Sequence, residues 1–403
     1  MTDSRRGRRR FDDWIRTEFA QLNTRLEKAY LQQARPGNQP GGKSTCSNGT
    51  SGLKRRLLEP GHEHILQLLE EAPLEGSFEE RLDLLGNVGM FMAACTRHGL
   101  NEPTEQGHSP LEEESRLALR LGTGLGVAPR FILASYATHN KARQGVFKSF
   151  TEFEDERFFI EYNTRGIFEY EGAAHALFKI NQLGISSPIS LEFFRQARSR
   201  LDSARQTMNA LFEHLDVKIF FNSIRPYYLP SYVGDKEYRG VNAGDFVGIN
   251  QVDLLLGLCS ADDPFYRGIL MEKLPYVLPQ EQDDIRNCLL LPSLLDEFLE
   301  AAPNHSRQPW FRRNAAAFLD ACQAHSRGAA AHHNKLVQRF IIRPARHLPE
   351  EKRQRLTASG PPLDILTETL QRLCDLRTAR DRQGIHSRHH DLQHLRSLLE
   401  GEA

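Results

Sequence analysis

The amino-acid sequence predicts an all-α fold of many helices, and three observations predict it. Apolar residues recur at intervals of three and four along most of the chain, alternating stretches are few, and Gly or Pro punctuates the ends of the periodic runs. The periodic runs cover 11–33, 77–98, 111–139, 171–184, 190–221, 245–259, 284–301, 311–341 and 363–377. Stops are expected at Pro129, at Gly184 with Pro188, and at Pro226, Pro264, Pro303 and Pro344. Phe158–Ile160 and Ile167–Phe168 are the best strand candidates, and Gly166 between them could turn a small hairpin. No repeat with a period of about 20–50 residues is present.

The chain has 403 residues, enough for a core of about 250–350 residues with extensions. Its first element is a helix over 11–33 with Trp14, Phe19, Leu22, Leu26 and Tyr30 at helical spacing. From Arg35 to Arg56 the composition shifts to Gly, Ser, Pro, Asn and Lys, which cannot bury enough surface to order itself. Residues 1–56 are therefore expected to be an N-terminal helix on a flexible, disordered linker, and residues 57–403 a helical body. A chain starting at Leu57 is expected to fold and function.

Bulk properties narrow the class. Lys plus Arg and Asp plus Glu both number 52, so no global field recruits nucleic acid or an anionic membrane. No apolar run approaches the roughly 20 residues of a membrane span. The basic start Arg5–Arg10 runs into Phe11-Asp12-Asp13-Trp14 and not into an apolar segment, which argues against export. Cysteines 46, 95, 259, 288, 322 and 374 are scattered without a CxxC pair and read as reduced, in a cytoplasmic protein.

Several motifs carry less than they promise. Gly37–Ser44 matches GxxxxGK[ST], but a polar helix precedes it where phosphate binding needs a buried strand. Gly122-Thr123-Gly124-Leu125-Gly126 reads as a broken helix end, and Asn48-Gly49-Thr50 is a glycosylation sequon without an export signal. His386, His389, His390 and His394 could form a metal ladder, but Arg380, Arg382, Arg388 and Arg396 oppose a cation there.

The helix from Trp310 to Ile342 is different. Its apolar face runs through Phe318, Cys322, His325, Ala329, His333, Leu336 and Phe340, so His333 points inward and His332 lies about 100° round the helix. Gly328–Ala331 thin the preceding turn and leave room for a flat macrocycle. A neutral imidazole there could coordinate a haem iron, or it could be a core histidine bonded to a carbonyl. At the end of an earlier helix, Phe220, Phe221 and Arg225 present two apolar faces and a planar cation. Such an arginine can capture a carboxylate in bidentate fashion, or it can cap its own helix.

Three segments in order resemble the indoleamine and tryptophan 2,3-dioxygenase superfamily over roughly residues 115 to 380. Ala331–Ala345 is similar to the proximal-ligand helix, in which a histidine precedes a Val-Thr-Lys-Tyr-Ile run and a Pro-Ala stop; that register places the ligand on His333. Phe220-Phe221-Asn222-Ser223-Ile224-Arg225 resembles Phe-Phe-Ser-Val-Leu-Arg of the substrate pocket. Gly240-Val241-Asn242-Ala243-Gly244-Asp245 with Val252-Asp253-Leu254-Leu255-Leu256-Gly257 resembles the Gly-Gly-Ser-Ala-Gly-Gln loop and the helix after it. Where the dioxygenases carry Gly-Thr-Gly-Gly-Thr, this chain has Thr357-Ala358-Ser359-Gly360-Pro361-Pro362, and Asp245 replaces a Gln. In these features it resembles the pyrrolnitrin-pathway branch, the monodechloroaminopyrrolnitrin synthases.

The resemblance implies haem b on His333, with O2 and an indole amino acid as substrates and an electron donor to reduce the iron. Arg225 would hold the carboxylate, with Phe220, Phe221, Asn242, Ala243, Gly244, Ser359 and Gly360 around the substrate. Asp245 would supply an extra carboxylate, and His175, or Tyr136, would be the distal polar residue. The reaction implied is rearrangement of tryptophan or chlorotryptophan to an aminophenylpyrrole. Dioxygenation to N-formylkynurenine is the alternative within the superfamily, and a helical haem-binding or scaffold protein without turnover is the alternative outside it. A monomer or homodimer is expected.

Overall fold

The apolar spacing becomes helix along most of the chain. A computed structural model describes residues 3–33, 50–71, 75–346 and 362–400, so the phosphate-loop match and Ser359 with Gly360 lie outside the described residues. The N-terminal half contains α1 (Asp3–Trp14), a π-helical stretch (Ile15–Phe19), α2 (Ala20–Gln33), α3 (Ser51–Glu70), α4 (Phe78–Arg97), α5 (Glu112–Leu125), α6 (Leu133–Tyr136), α7 (Glu154–Leu183) and α8 (Ser190–His214). After α9 (Val217–Ile219) come a π-helix (Phe220–Ile224), a 3-10 turn (Arg225–Tyr228), and strands β1 (Ser231–Val233) and β2 (Lys236–Tyr238). Then follow α10 (Gly248–Leu256), α11 (Pro264–Lys273), α12 (Pro279–Cys288), α13 (Leu294–His305) and α14 (Pro309–Ala331). The long π-helix His332–Ile342, α15 (Arg343–Ala345), α16 (Leu363–Arg377) and α17 (His389–Glu400) complete the series.

Local chemistry sets the boundaries. Ser77 accepts from the Glu80 N–H at 3.1 Å while the Glu80 carboxylate accepts from the Ser77 N–H at 2.9 Å, a reciprocal cap that starts α4. Gly126 ends α5 with φ 71°, and Gly184 ends α7 with φ 83°. Two expected stops behave otherwise. Pro264 begins α11, because at the first helical position its missing N–H costs nothing and Asp263 caps the Phe265 N–H at 2.9 Å. Pro303 lies inside α13, near its end.

The expected hairpin at 158–168 is not there: these residues belong to the 30-residue helix α7, whose first turn carries Glu154, Asp155 and Glu156 where negative charge favours a helix. The hairpin is β1–β2, pairing Ser231 with Tyr238 across Gly234-Asp235, with φ 64° at Gly234. Strands of three residues are too short for alternation to reveal.

α7 joins two apolar cores. Phe159, Ile160 and Ile167 belong to the first, with α1–α6 and the 220–241 segment; Ala173, Ala174, Leu177 and Ile180 belong to the second, with α8 and α10–α14. The alanines let neighbours approach closely. A Cβ on Gly248, at the start of α10, would sit 2.9 Å from the Glu171 backbone nitrogen, so only glycine fits this contact.

The N-terminal helix is part of this body, against the expected division at residue 56. Phe11, Ile15, Phe19 and Leu26 are fully buried in one cluster with Leu57, Ile65 and Phe91. The reading failed because a disordered-looking linker says nothing about where the helix before it docks. Asp12 adds a buried charge cluster: Arg16 at 2.9 Å, Lys148 at 3.3 Å and Arg143 surround it. Burial alone would raise the Asp12 pKa, but these cations outweigh it and hold the carboxyl at about 2. A depressed folded pKa contributes stability above the unfolded value near 4 and loses it as pH falls toward 2. The acid midpoint of Asp12→Asn should therefore shift less between pH 5 and 2 than that of the native chain, read as Tm against pH.

Candidate active site

Gly328 and Ala329 face a cavity of about 430 Å3, within the range of cofactor and small-molecule sites. One wall is α7, with Tyr162, Asn163, Gly166, Ile167 and Tyr170; the wall beside it is α8, with Ala204, Met208, Leu211 and Phe212. The loop Asn242–Phe246 and α11 close one side, and Leu366, Leu370, Leu373 and Arg377 of α16 close another. The thin turn expected at 328–331 is put to use here, since a Cβ on Gly328 would lie 3.4 Å from the Tyr170 hydroxyl.

The histidine on the cavity wall is His332. Burial, then Arg377 and His333, push its pKa down to about 4, so it is a neutral imidazole at physiological pH. His333 does not line the cavity. It is buried beside Gln371 and Asp375 of α16, and its Nδ1 has no partner among the described residues. His333 is thus the inward, buried member of the pair, as the helical count expects, while the half-buried His332 is the one that faces the cavity. The 11-residue π-helix begins at His332, and its turns are wider than those of an α-helix.

The loop Asn242, Ala243, Gly244 and Asp245 lines the cavity. Asp245 is not a free carboxylate, however. Both of its oxygens accept from Arg239 at 2.9 Å, and one also accepts from the Asn242 N–H at 2.9 Å, so Asp245 pins the loop in place. Arg239 in turn lies over the Tyr276 ring at 3.7 Å. From the other side Lys273 donates to the Gly244 carbonyl at 2.6 Å and to Asn250, and burial brings its pKa down to about 8.

His175, expected at the distal side, is exposed on α7 and does not line the cavity. It follows Ala174, which faces the second core, so the next residue turns outward. Tyr136 is buried away from the cavity; it accepts from the Tyr228 hydroxyl at 2.7 Å and donates to Glu156 at 2.6 Å. Phe220 packs between Phe159 and Phe340, with ring centroids 5.0 and 6.0 Å away. Phe221 joins Ala345, Leu363 and Ile341 in a small apolar cluster, and the Arg225 guanidinium lies 5.4 Å from its ring. Arg225 is buried without a hydrogen-bond or ion-pair partner among the described residues, and burial pushes its pKa down to about 10. Phe220, Phe221 and Arg225 are not among the residues that line the cavity.

A second network went unread in the sequence. Asp253 is fully buried on α10 and receives His325 at 2.7 Å, Arg377 at 2.8 Å and the Tyr266 hydroxyl at 2.8 Å. Burial alone would raise its pKa, but Arg377 and His325 hold it far below the carboxylate range. An aspartate inside Val252–Leu256 is the signal that could have revealed it, because a charge in an apolar helix demands a buried partner. Arg377 reaches the cavity from this network.

A family model described as monodechloroaminopyrrolnitrin synthase PrnB matches residues 6–399. The chain belongs to this family. Membership makes it an enzyme of the pyrrolnitrin-biosynthesis class and agrees with the pyrrolnitrin-pathway branch that the sequence resembles. The match starts within α1, so the PrnB family region includes the N-terminal helix as well as the cavity. No helix among the described residues is long and apolar enough to cross a membrane.

Proposed function

We propose that this PrnB-family chain is a haem-dependent oxygenase that rearranges tryptophan or 7-chlorotryptophan to an aminophenylpyrrole, using O2 and an external electron donor. The observation that carries the proposal is a neutral imidazole on the wall of an apolar cavity, next to a turn of small residues. The donor set suits haem: one uncharged histidine nitrogen for the iron, and Lys273, which bonds only neutral groups, as the cavity cation for a haem carboxylate, since Arg239 and Arg377 are committed to Asp245 and Asp253. The pair His332–His333 would supply the axial ligand; the cavity wall points to His332, while the dioxygenase register points to His333. Bound haem would supply the binding and activation of O2.

The protein's own contribution is orientation and the exclusion of water. Arg225 is a buried cation with no counter-charge among the described residues, which suits capture of a substrate carboxylate. Phe220 and Phe221 supply apolar surface for an indole, and Asn242, Ala243 and Gly244 supply backbone close to the cavity. Ser359 and Gly360 keep the role that the resemblance gives them. Asp245 serves by fixing the loop through Arg239 and does not act as a base. The test is product identity: reduced enzyme is incubated with tryptophan or 7-chlorotryptophan under ¹⁸O2, and the products are weighed. A decarboxylated aminophenylpyrrole is expected. A product that keeps the carboxylate and carries two labelled oxygens would mean dioxygenation instead.

A further inference from the structure

Glu27 of α2 and Arg97 at the end of α4 form a buried bidentate ion pair, with both bonds at 2.7 Å. The same guanidinium donates a third bond, at 2.9 Å, to the backbone carbonyl of Asn222 in the π-helix Phe220–Ile224. One residue after Arg97, His98 is fully buried and repeats the arrangement. Its Nε2 lies 2.8 Å from Asn23 Oδ1 and 3.5 Å from the Tyr227 hydroxyl, and its Nδ1 lies 3.0 Å from the Tyr30 hydroxyl. Tyr227 is further held by stacking on Phe150, centroid to centroid at 4.4 Å. Arg225 lies between the two residues so gripped, Asn222 and Tyr227.

We infer that the N-terminal helix belongs to the substrate-recognition apparatus, with Glu27, Asn23 and Tyr30 acting through Arg97 and His98 to position Arg225. They are positioning residues, because none of them touches substrate. The inference rests on the reading that Arg225 holds a carboxylate. Apolar packing already anchors α1 and α2 to the first core. The polar bonds do something else: they converge on the backbone carbonyl and the tyrosine on either side of one arginine. A planar cation must be aligned to form two parallel bonds to a carboxylate, so a small rotation of the 222–227 segment would weaken recognition without emptying the pocket. Replacing the Glu27 carboxylate by an amide leaves one acceptor oxygen where Arg97 bonds two, so its fork is no longer held at both points.

The test compares binding of L-tryptophan and of tryptamine, which lacks the carboxylate, to the full-length protein by equilibrium dialysis. Glu27→Gln should reduce the preference for tryptophan by about tenfold, with tryptamine affinity unchanged. Tyr30→Phe, a milder change that keeps the ring, should reduce it by less and carries the test if Glu27→Gln fails to fold. Arg225→Leu should abolish the preference, and adding Glu27→Gln to it should change nothing more. If Glu27→Gln and Tyr30→Phe melt earlier but keep the native preference while Arg225→Leu loses it, the helix only stabilises the fold and the inference is wrong. If Arg225→Leu keeps the native preference, the carboxylate is held elsewhere, and the reading of Arg225 falls along with the inference.

Discussion

A chain lacking residues 1–33 is expected to be insoluble or unfolded. Phe11, Trp14, Ile15, Phe19, Leu22 and Leu26 are all buried against α3, α4 and the rest of the first core. Each such side chain contributes about 1.5–3 kcal/mol on burial. Together they amount to about 9–18 kcal/mol, comparable with the whole stability of an ordinary domain. Truncation would also disrupt two groups of buried charges. Arg97 would lose Glu27, which leaves a cation in a low-dielectric interior, and Lys148 would lose Asp12 and keep only Asp83. The measurement is soluble yield together with a circular-dichroism melt of chains starting at Ala34 and at Leu57. A cooperative transition near the native Tm in either would show that the packed helix adds little.

The second large effect concerns the histidine pair. The double variant His332→Ala/His333→Ala should retain no histidine-ligated haem after reconstitution, while its helical circular dichroism stays close to that of the native chain. One single variant should reproduce the double, and the Soret band identifies which. Loss in His332→Ala alone follows from the cavity wall described above. Loss in His333→Ala alone would mean that the haem-bound chain adopts the dioxygenase register, with the π-helix tightened at its start. Normal histidine-ligated haem in the double variant would exclude the pair and, with it, this cavity as the haem site.

The two cases also show what can be read from a sequence of this kind. Spacing of three and four identified most helices because burial on one face leaves a periodic trace, as in α4 and α14. The same rule failed at the level of single residues. His175 misses the inward face of α7 by one position, and a count that buries His333, as the structure does, does not reveal that its neighbour His332 faces the cavity. The loop 242–245 was legible through resemblance, but the bonds that occupy Asp245 were not, since Arg239 stands six residues away and nothing in that spacing implies a bidentate pair. Lys273 and Arg377 left no trace at all. A charge drawn into a cavity by distant helices has the same one-dimensional signature as one in water. The first 33 residues were misjudged for a similar reason: amphipathicity shows that a helix has a partner, not whether that partner is its own domain.

α7 has a consequence for how the molecule comes apart. Its first half is built into one core and its second half into the other, through 30 unbroken residues. Neither core can melt without exposing a share of the other, so the two halves are thermodynamically linked even though each has an apolar centre of its own. A calorimetric trace should therefore show a single endotherm whose van't Hoff and calorimetric enthalpies agree. In hydrogen exchange, amides at both ends of α7 should open at a common free energy, making this helix the slowest-exchanging stretch of the chain.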